Sequence, residues 1–206
     1  MPGAINRRFF FEECRSKLFD GRLSRGQVEG LSGILDNWEA CYEACDDRWL
    51  AYALATAHHE VDRTMKPIRE YGGTRYFTKM YDISGARPHV ARRLGNLAEG
   101  DGALFSGRGF VQLTGRANYA DWQARLGVDL TSSQAAADRV LSLPIATRIL
   151  FEGMIGGTFT GRKFAHYFDE VREDWEGARK IINGRDKKAL IAGYARSYYA
   201  AISYTV

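Results

Sequence analysis

Residues 46–61 read DDRWLAYALATAHHEV. Two acids open the stretch, the residue type that caps a helix N-terminus through its side-chain oxygens. Leu50, Ala53, Leu54, Ala57 and Val61 then recur at the spacing of one helical face. The charged residues after Val61 and Pro67 beyond them disfavour continuation, so the helix is expected to end near residues 60–62. Upstream, Ser24 with Gln27 forms a capping box in front of Val28, Leu31, Ile34 and Leu35. Downstream, helical patterning returns over 118–126 and after a second Thr131–Gln134 box. Pro144 interrupts before a helix over 145–155, and two more come around 175–182 and 187–204. Residues 108–113 are the best strand candidate and are short. The expected class is mainly α, with little β structure.

Between these helical parts, residues 65–109 change texture. Gly72, Gly73, Gly85, Pro88, Gly95, Gly100 and Gly102 break any sustained period, with room for a short helix over 88–94. A weakly structured stretch of this length inside a domain is usually functional, and it reads as one wall of a cleft. There are no internal repeats and no low-complexity linker. The 206 residues are expected to form a single domain, 1–206, either one large domain or one domain folded as two lobes, with no separate further module.

The composition narrows the function classes. Hydrophobic residues make up 45% of the chain, enough for a core, and no apolar run is long enough to span a bilayer, so no stable membrane insertion is expected. The first residues, MPGAINRRFFFEECRSKLF, lack the apolar centre and small-residue cleavage site of a secretory signal. Synthesis and retention in a cytoplasm are the expectation. Three cysteines, Cys14, Cys41 and Cys45, fit reduced thiols better than a disulfide framework. The net charge of +4 favours polyanions, yet the basic residues are interspersed with acids. A C-terminal basic set, Arg179, Lys180, Arg185, Lys187, Lys188 and Arg196, reads as a solvated helix face.

Glu60 is the first candidate for chemistry. A carboxyl at the end of an apolar helix, beside Ala57 and Val61, has the partial burial and the negative helix end that favour the protonated form a general acid needs. An ordinary exposed helix-end glutamate is the alternative. Glu70, past Pro67 on a loop, supplies a second carboxylate as two-carboxylate glycoside hydrolysis requires, or a salt bridge to Arg69, Arg75 or another nearby base. His58 and His59 do not complete H-E-x-x-H, since Arg63 stands where the second histidine belongs, and no metal or other cofactor is expected. Gly107-Arg108-Gly109 is not a dinucleotide loop, because Gln112 replaces the third glycine. Within residues 105–119, FSGRGFVQLTGRANY, Gln112, Thr114 and Asn118 offer hydrogen-bonding groups and Tyr119 a flat face for a sugar ring.

Taken together these segments resemble the family 19 glycoside hydrolases, in particular the single-domain endolysin branch of bacteriophages and prophages. The similar segments are His59-Glu60 at a helix end, MKPIREYG over 65–72 and FSGRGFVQLTGRANY over 105–119. FEGM over 151–154, TFTG over 158–161 and IING over 181–184 complete the set. The resemblance implies a lysozyme-like, two-lobed α-rich fold with a central cleft. It also implies cleavage of a β-1,4 bond in an N-acetylated glycan with inversion. Glu60 falls on the general acid and Thr114 on the residue holding the attacking water. His59, Gln112, Asn118, Tyr119 and Asn183 fall on or beside substrate-binding positions. Plant chitinases of the family carry their second glutamate on a longer loop, with which Glu70 does not align cleanly. The Pro67-Ile68-Arg69-Glu70 segment resembles the endolysin branch, where Glu70 is the natural candidate for the base. An inverting reaction needs carboxyls about 6.5–9.5 Å apart, leaving room for water.

The expected function is therefore a muramidase acting on peptidoglycan glycan strands between N-acetylmuramic acid and N-acetylglucosamine, for host lysis. A monomer is expected, held in the host cytoplasm until a holin releases it to the periplasm and wall, with no nucleic-acid partner. A chitinase shares the same motifs, and a noncatalytic wall-binding protein is the reading from another class.

Overall fold

Asn6 caps α1 (Arg7–Leu18) with its side chain, which accepts from the Phe9 amide, and the helix buries Phe10, Cys14 and Leu18. The structure is a computed structural model and describes residues 4–184 and 186–205. The Ser24–Gln27 capping box forms at the start of α2 (Arg25–Cys41), and Leu31, Ile34, Leu35 and Trp38 face inward. α2 also carries two glycines one turn apart. A methyl group on Gly30 would sit 1.6 Å from the Met65 carbonyl oxygen, and one on Gly26 1.9 Å from the Lys66 side chain. Bare backbone at Gly30 lets the Met65 backbone lie directly on the helix, whereas at Gly26 the neighbour is the flexible end of the Lys66 side chain.

Asp46 caps α3 (Asp47–Glu60) by accepting from the Arg48 amide. Every residue from Leu50 to His58 is buried, not one face alone. A helix apolar all round belongs inside a core. Here four alanines (Ala51, Ala53, Ala55 and Ala57) keep it slim enough to be surrounded.

After Lys66 the chain enters a second compact unit, Pro67–Ala146. β1 (Ile68–Arg69) pairs antiparallel with β2 (Arg108–Gly109), with Ile68 opposite Gly109 and Arg69 opposite Arg108. Arg108 also bridges to Leu113, so the expected strand over 108–113 is a tight hairpin with only two residues in the sheet. The turn needs left-handed backbone at Gly109 (φ +82°) and at Gln112 (φ +52°). The span 65–109 is more ordered than expected. It holds α4 (Thr74–Tyr81), α5 (Pro88–Arg93) and α6 (Asp101–Leu104) between its glycine turns.

α7 (Arg116–Leu126) starts two residues before the expected 118 and ends on Gly127 in left-handed conformation. Ser133, not Thr131, caps α8 (Gln134–Ala137), since its hydroxyl accepts from the Ala136 amide. Pro144 does not interrupt α9 (Leu143–Gly156). It lies in the first turn, where a missing amide hydrogen costs nothing. The expected helix over 175–182 is a 3₁₀ segment, Gly177–Ile181, and α10 (Lys188–Ala201) comes after it.

The described residues up to Lys66 and from Thr147 onward form the first unit, in which α3 packs chiefly on α10. Its core is aromatic: Trp38 lies 5.4 Å from Phe151, and Trp175 4.9 Å from Phe168, centroid to centroid. The second unit has Phe77, Phe105, Phe110, Tyr119 and Trp122 inside. Among the described residues helix takes 58% and strand 3%, an α-rich fold. Among the described residues no helix is long and apolar enough to cross a membrane. The three thiols are unpaired, with Cys14 buried and pushed up in pKa, first by burial and then by neighbouring Glu13.

Candidate functional site

In the first unit, α3 ends at Glu60. Its carboxyl is mostly covered, with 18% of the side chain exposed, and its Oε1 accepts from Arg179 Nη1 at 2.8 Å. Arg179 lies in the 3₁₀ segment and is itself 3% exposed. Its Nε donates to the Asp186 carbonyl. The expectation that Arg179 belongs to a solvated basic face is thus corrected: the guanidinium is buried because it serves Glu60. Lys188 pairs with Glu176 at 2.7 Å, and Arg185 lies outside the described residues.

The motifs flanking this segment hold it in place. Thr160 Oγ1 shares its one hydrogen between the carbonyls of Lys180 at 2.6 Å and Ile181 at 3.0 Å, tying Thr160 to the strip that carries Arg179. Gly153 leaves room for the Phe159 ring, which a methyl group there would meet at 2.2 Å. Asn183 is exposed, and its Oδ1 accepts from the Gly184 amide. His59 is half-buried at the last turn of α3.

His58 is a different kind of residue. It is fully buried, with Nδ1 2.8 Å from the Tyr198 hydroxyl and rings of Phe19 and Tyr194 around it. Burial first, then the charges of Arg63 and His59, push its pKa down to about 4. A histidine that stays neutral in the core supports α3 and does not face substrate. Among the described residues no group of three or more His, Cys, Asp or Glu side chains is placed to hold a metal ion.

In the second unit, Glu70 comes directly after β1 and is held at both oxygens. Tyr81 donates its hydroxyl to Oε1 at 2.8 Å and the Gly107 amide donates to Oε2 at 3.2 Å. The Glu70 amide returns a bond to the Gly107 carbonyl at 2.8 Å. A methyl group on Gly107 would lie 2.9 Å from Gln112 Oε1 and 3.1 Å from Glu70 Oε2, so both side chains converge on this glycine. Gln112 Nε2 donates to the Gly109 carbonyl, Thr114 Oγ1 to the Gln112 carbonyl at 2.8 Å, and Asn118 Nδ2 to the Thr114 carbonyl at 2.7 Å. The structure therefore brings Glu70 and Gln112 together and strings Thr114 and Asn118 behind them. Among the described residues, the salt bridges expected as the alternative for Glu70 do not form; Arg69 pairs with Asp138 instead.

Tyr119 is a correction. It is completely buried, donating its hydroxyl to the Ser106 carbonyl and accepting from Arg108 Nη1 at 2.9 Å. A ring with no accessible face cannot stack on a sugar. Its partner Arg108 is also fully buried and bonded to Asp138 at 2.8 Å. Burial alone would raise the Asp138 pKa, but hydrogen bonds from Arg108 and Gln134 and the charges of Arg108 and Arg69 bring it below the ordinary range.

Tyr81 and Arg179 are the two residues that sequence reasoning passed over. Tyr81 sits in the glycine-broken span 65–109, which shows no sustained period, and Arg179 is one of several scattered basic residues in the sequence. Comparison with protein-family models, with curated proteins and with solved structures finds no match.

Proposed function

We propose that this protein is an endolysin-type muramidase, hydrolysing the β-1,4 bond between N-acetylmuramic acid and N-acetylglucosamine in peptidoglycan with inversion. Glu60 protonates the glycosidic oxygen as general acid, and Glu70 takes a proton from the attacking water as general base. Thr114 Oγ1 spends its hydrogen on the Gln112 carbonyl, which leaves its lone pairs to accept from that water. Gln112, Asn118, His59 and Asn183 are the substrate contacts in this reading, and Tyr119 is not. No cofactor takes part.

The observation that carries the proposal is the placement of Glu60, a mostly covered carboxyl at the end of a helix buried from Leu50 to His58, with its Oε1 fixed by Arg179. The pair fixes where this carboxyl points, and it satisfies a guanidinium whose burial is costly unless it is paired. Glu70 supports it, since a base aims at one water only if its oxygens are fixed, as Tyr81 and Gly107 fix them. The basic net charge of +4 favours an acidic wall polymer. We further propose storage on the cytoplasmic side until a holin opens the membrane.

The test is a turbidity assay on outer-membrane-permeabilised bacteria. Glu60→Gln is expected to lose at least about a hundredfold in lysis rate while keeping its helical circular-dichroism spectrum. Lysis near the wild-type rate would remove the glycosidase reading.

A further inference from the structure

We propose that Tyr71 and Tyr76 form an aromatic platform that binds a pyranose ring of the N-acetylated glycan beside Glu70. The inference rests on the glycosidase reading for the identity of the glycan. It supplies the stacking surface that buried Tyr119 cannot.

Tyr71 is 71% exposed and Tyr76 42% exposed. Single exposed aromatics are ordinary; these two lie within six residues of sequence, starting at the residue after a fixed carboxylate. Tyr76 is exposed without being loose. Its ring stands edge-on to Phe77 at 5.4 Å and to Tyr81 at 6.5 Å. It also lies against Gly72, where a methyl group would come within 2.7 Å of Tyr76 Cδ1. The glycine next to Tyr71 is thus what admits the Tyr76 ring. Tyr81, the ring that Tyr76 abuts, donates to Glu70 Oε1. One exposed ring is therefore adjacent to the carboxylate in sequence, and the other is joined to it through a single side chain.

The chemistry of the surface selects the occupant. A pyranose presents C–H bonds on one face and hydroxyls around its rim, matching a tyrosine's flat ring and polar tip. Tyrosine also offers large contact area with only two side-chain torsions to order. A packed ring such as Tyr76 has already lost that freedom, so binding costs less.

The test separates binding from hydrolysis. In the full-length Glu60→Gln protein, affinity is measured for purified sacculi by pelleting and for chitohexaose by calorimetry. Tyr71→Ala and Tyr76→Ala are each expected to weaken binding roughly tenfold, and the double variant more, while Tyr76→Phe stays within about twofold. Unchanged affinity in a folded double variant would overturn the platform, as would failure of the parental protein to bind either glycan. Should the double variant not fold, Tyr71→Ser alone gives the same reading, because its side chain is mostly in solvent. Tyrosine-dependent binding in a wild-type protein that releases no muropeptides would uphold the platform and refute the hydrolase.

Discussion

Arg179 Nη1 donates to Glu60 Oε1 at 2.8 Å, across 119 residues of sequence and with the guanidinium almost wholly out of water. Neither residue is placed there by its own helix alone. Glu60 is delivered by the end of α3, and Arg179 by a 3₁₀ turn that Thr160 ties down from outside. Removing one partner strands the other where water cannot replace it. Arg179→Met and Glu60→Gln are each expected to destabilise the protein by about 2–4 kcal/mol, and the double variant by less than their sum. Urea denaturation of the four proteins measures the coupling; strict additivity would mean that the pair is not a unit.

The second unit should be sensitive to acid. Burial would raise the pKa values of Asp82 and Asp101, but hydrogen bonds bring both below the ordinary range. Asp82 accepts from Ser84, Gly102 and Gly100, and Asp101 from Arg116, Ala98 and Leu97. A depressed folded value means stability that is present above the unfolded carboxyl pKa of about 3.9 and lost as pH falls through the folded values. Asp101→Asn removes a charge facing Arg116 and is expected to cost about 2–3 kcal/mol at pH 7 and less at pH 3, below the unfolded carboxyl value. Denaturation curves at the two pH values check this. An equal cost at both would contradict it.

His58 should govern a separate, milder window. Its folded value of about 4 lies below the unfolded value of about 6.5, so between them the unfolded chain takes up a proton that the native chain refuses. Stability then falls as pH drops from 6.5 towards 4, by up to roughly 3 kcal/mol from this group. His58→Gln, which can still bond Tyr198, is expected to flatten that slope in urea titrations at pH 7, 6 and 5. A variant as pH-dependent as the parent would show that His58 titrates normally.

Tyr119 should behave as core. Tyr119→Phe removes the hydroxyl shared by Arg108 and the Ser106 carbonyl, and is expected to cost about 1–2 kcal/mol of stability. The apparent KM for sacculi should not move. A raised KM with unaltered melting temperature would return Tyr119 to the substrate surface.

Much of the helical skeleton was legible because local signals and tertiary packing agree. The Ser24–Gln27 box and the Asp46 cap are self-contained statements about a few backbone amides, and both form. Pro144 misled because a proline reads as a break unless its place in the helix is known, and in the first turn it starts one. The glycine-rich span 65–109 concealed α4, whose buried face is reduced to Phe77 in eight residues, too little periodicity to detect. Glu60 in the first unit and Glu70 in the second are candidates by residue type and position, since a carboxyl at a helix end or on a loop is suggestive alone. Their partners are not. Arg179 and Tyr81 become visible only once the chain is folded, and burial separates Tyr119 from Tyr71 where residue type makes them equal.

The most direct measurement is mass spectrometry of the muropeptides released from purified sacculi by the wild-type protein and by Glu60→Gln. Wild-type digestion is expected to give disaccharide muropeptides with N-acetylmuramic acid at the reducing end, and the variant to release none above background. Intact sacculi after wild-type treatment, products ending in N-acetylglucosamine, or undiminished release by Glu60→Gln would each contradict a muramidase with Glu60 as its acid.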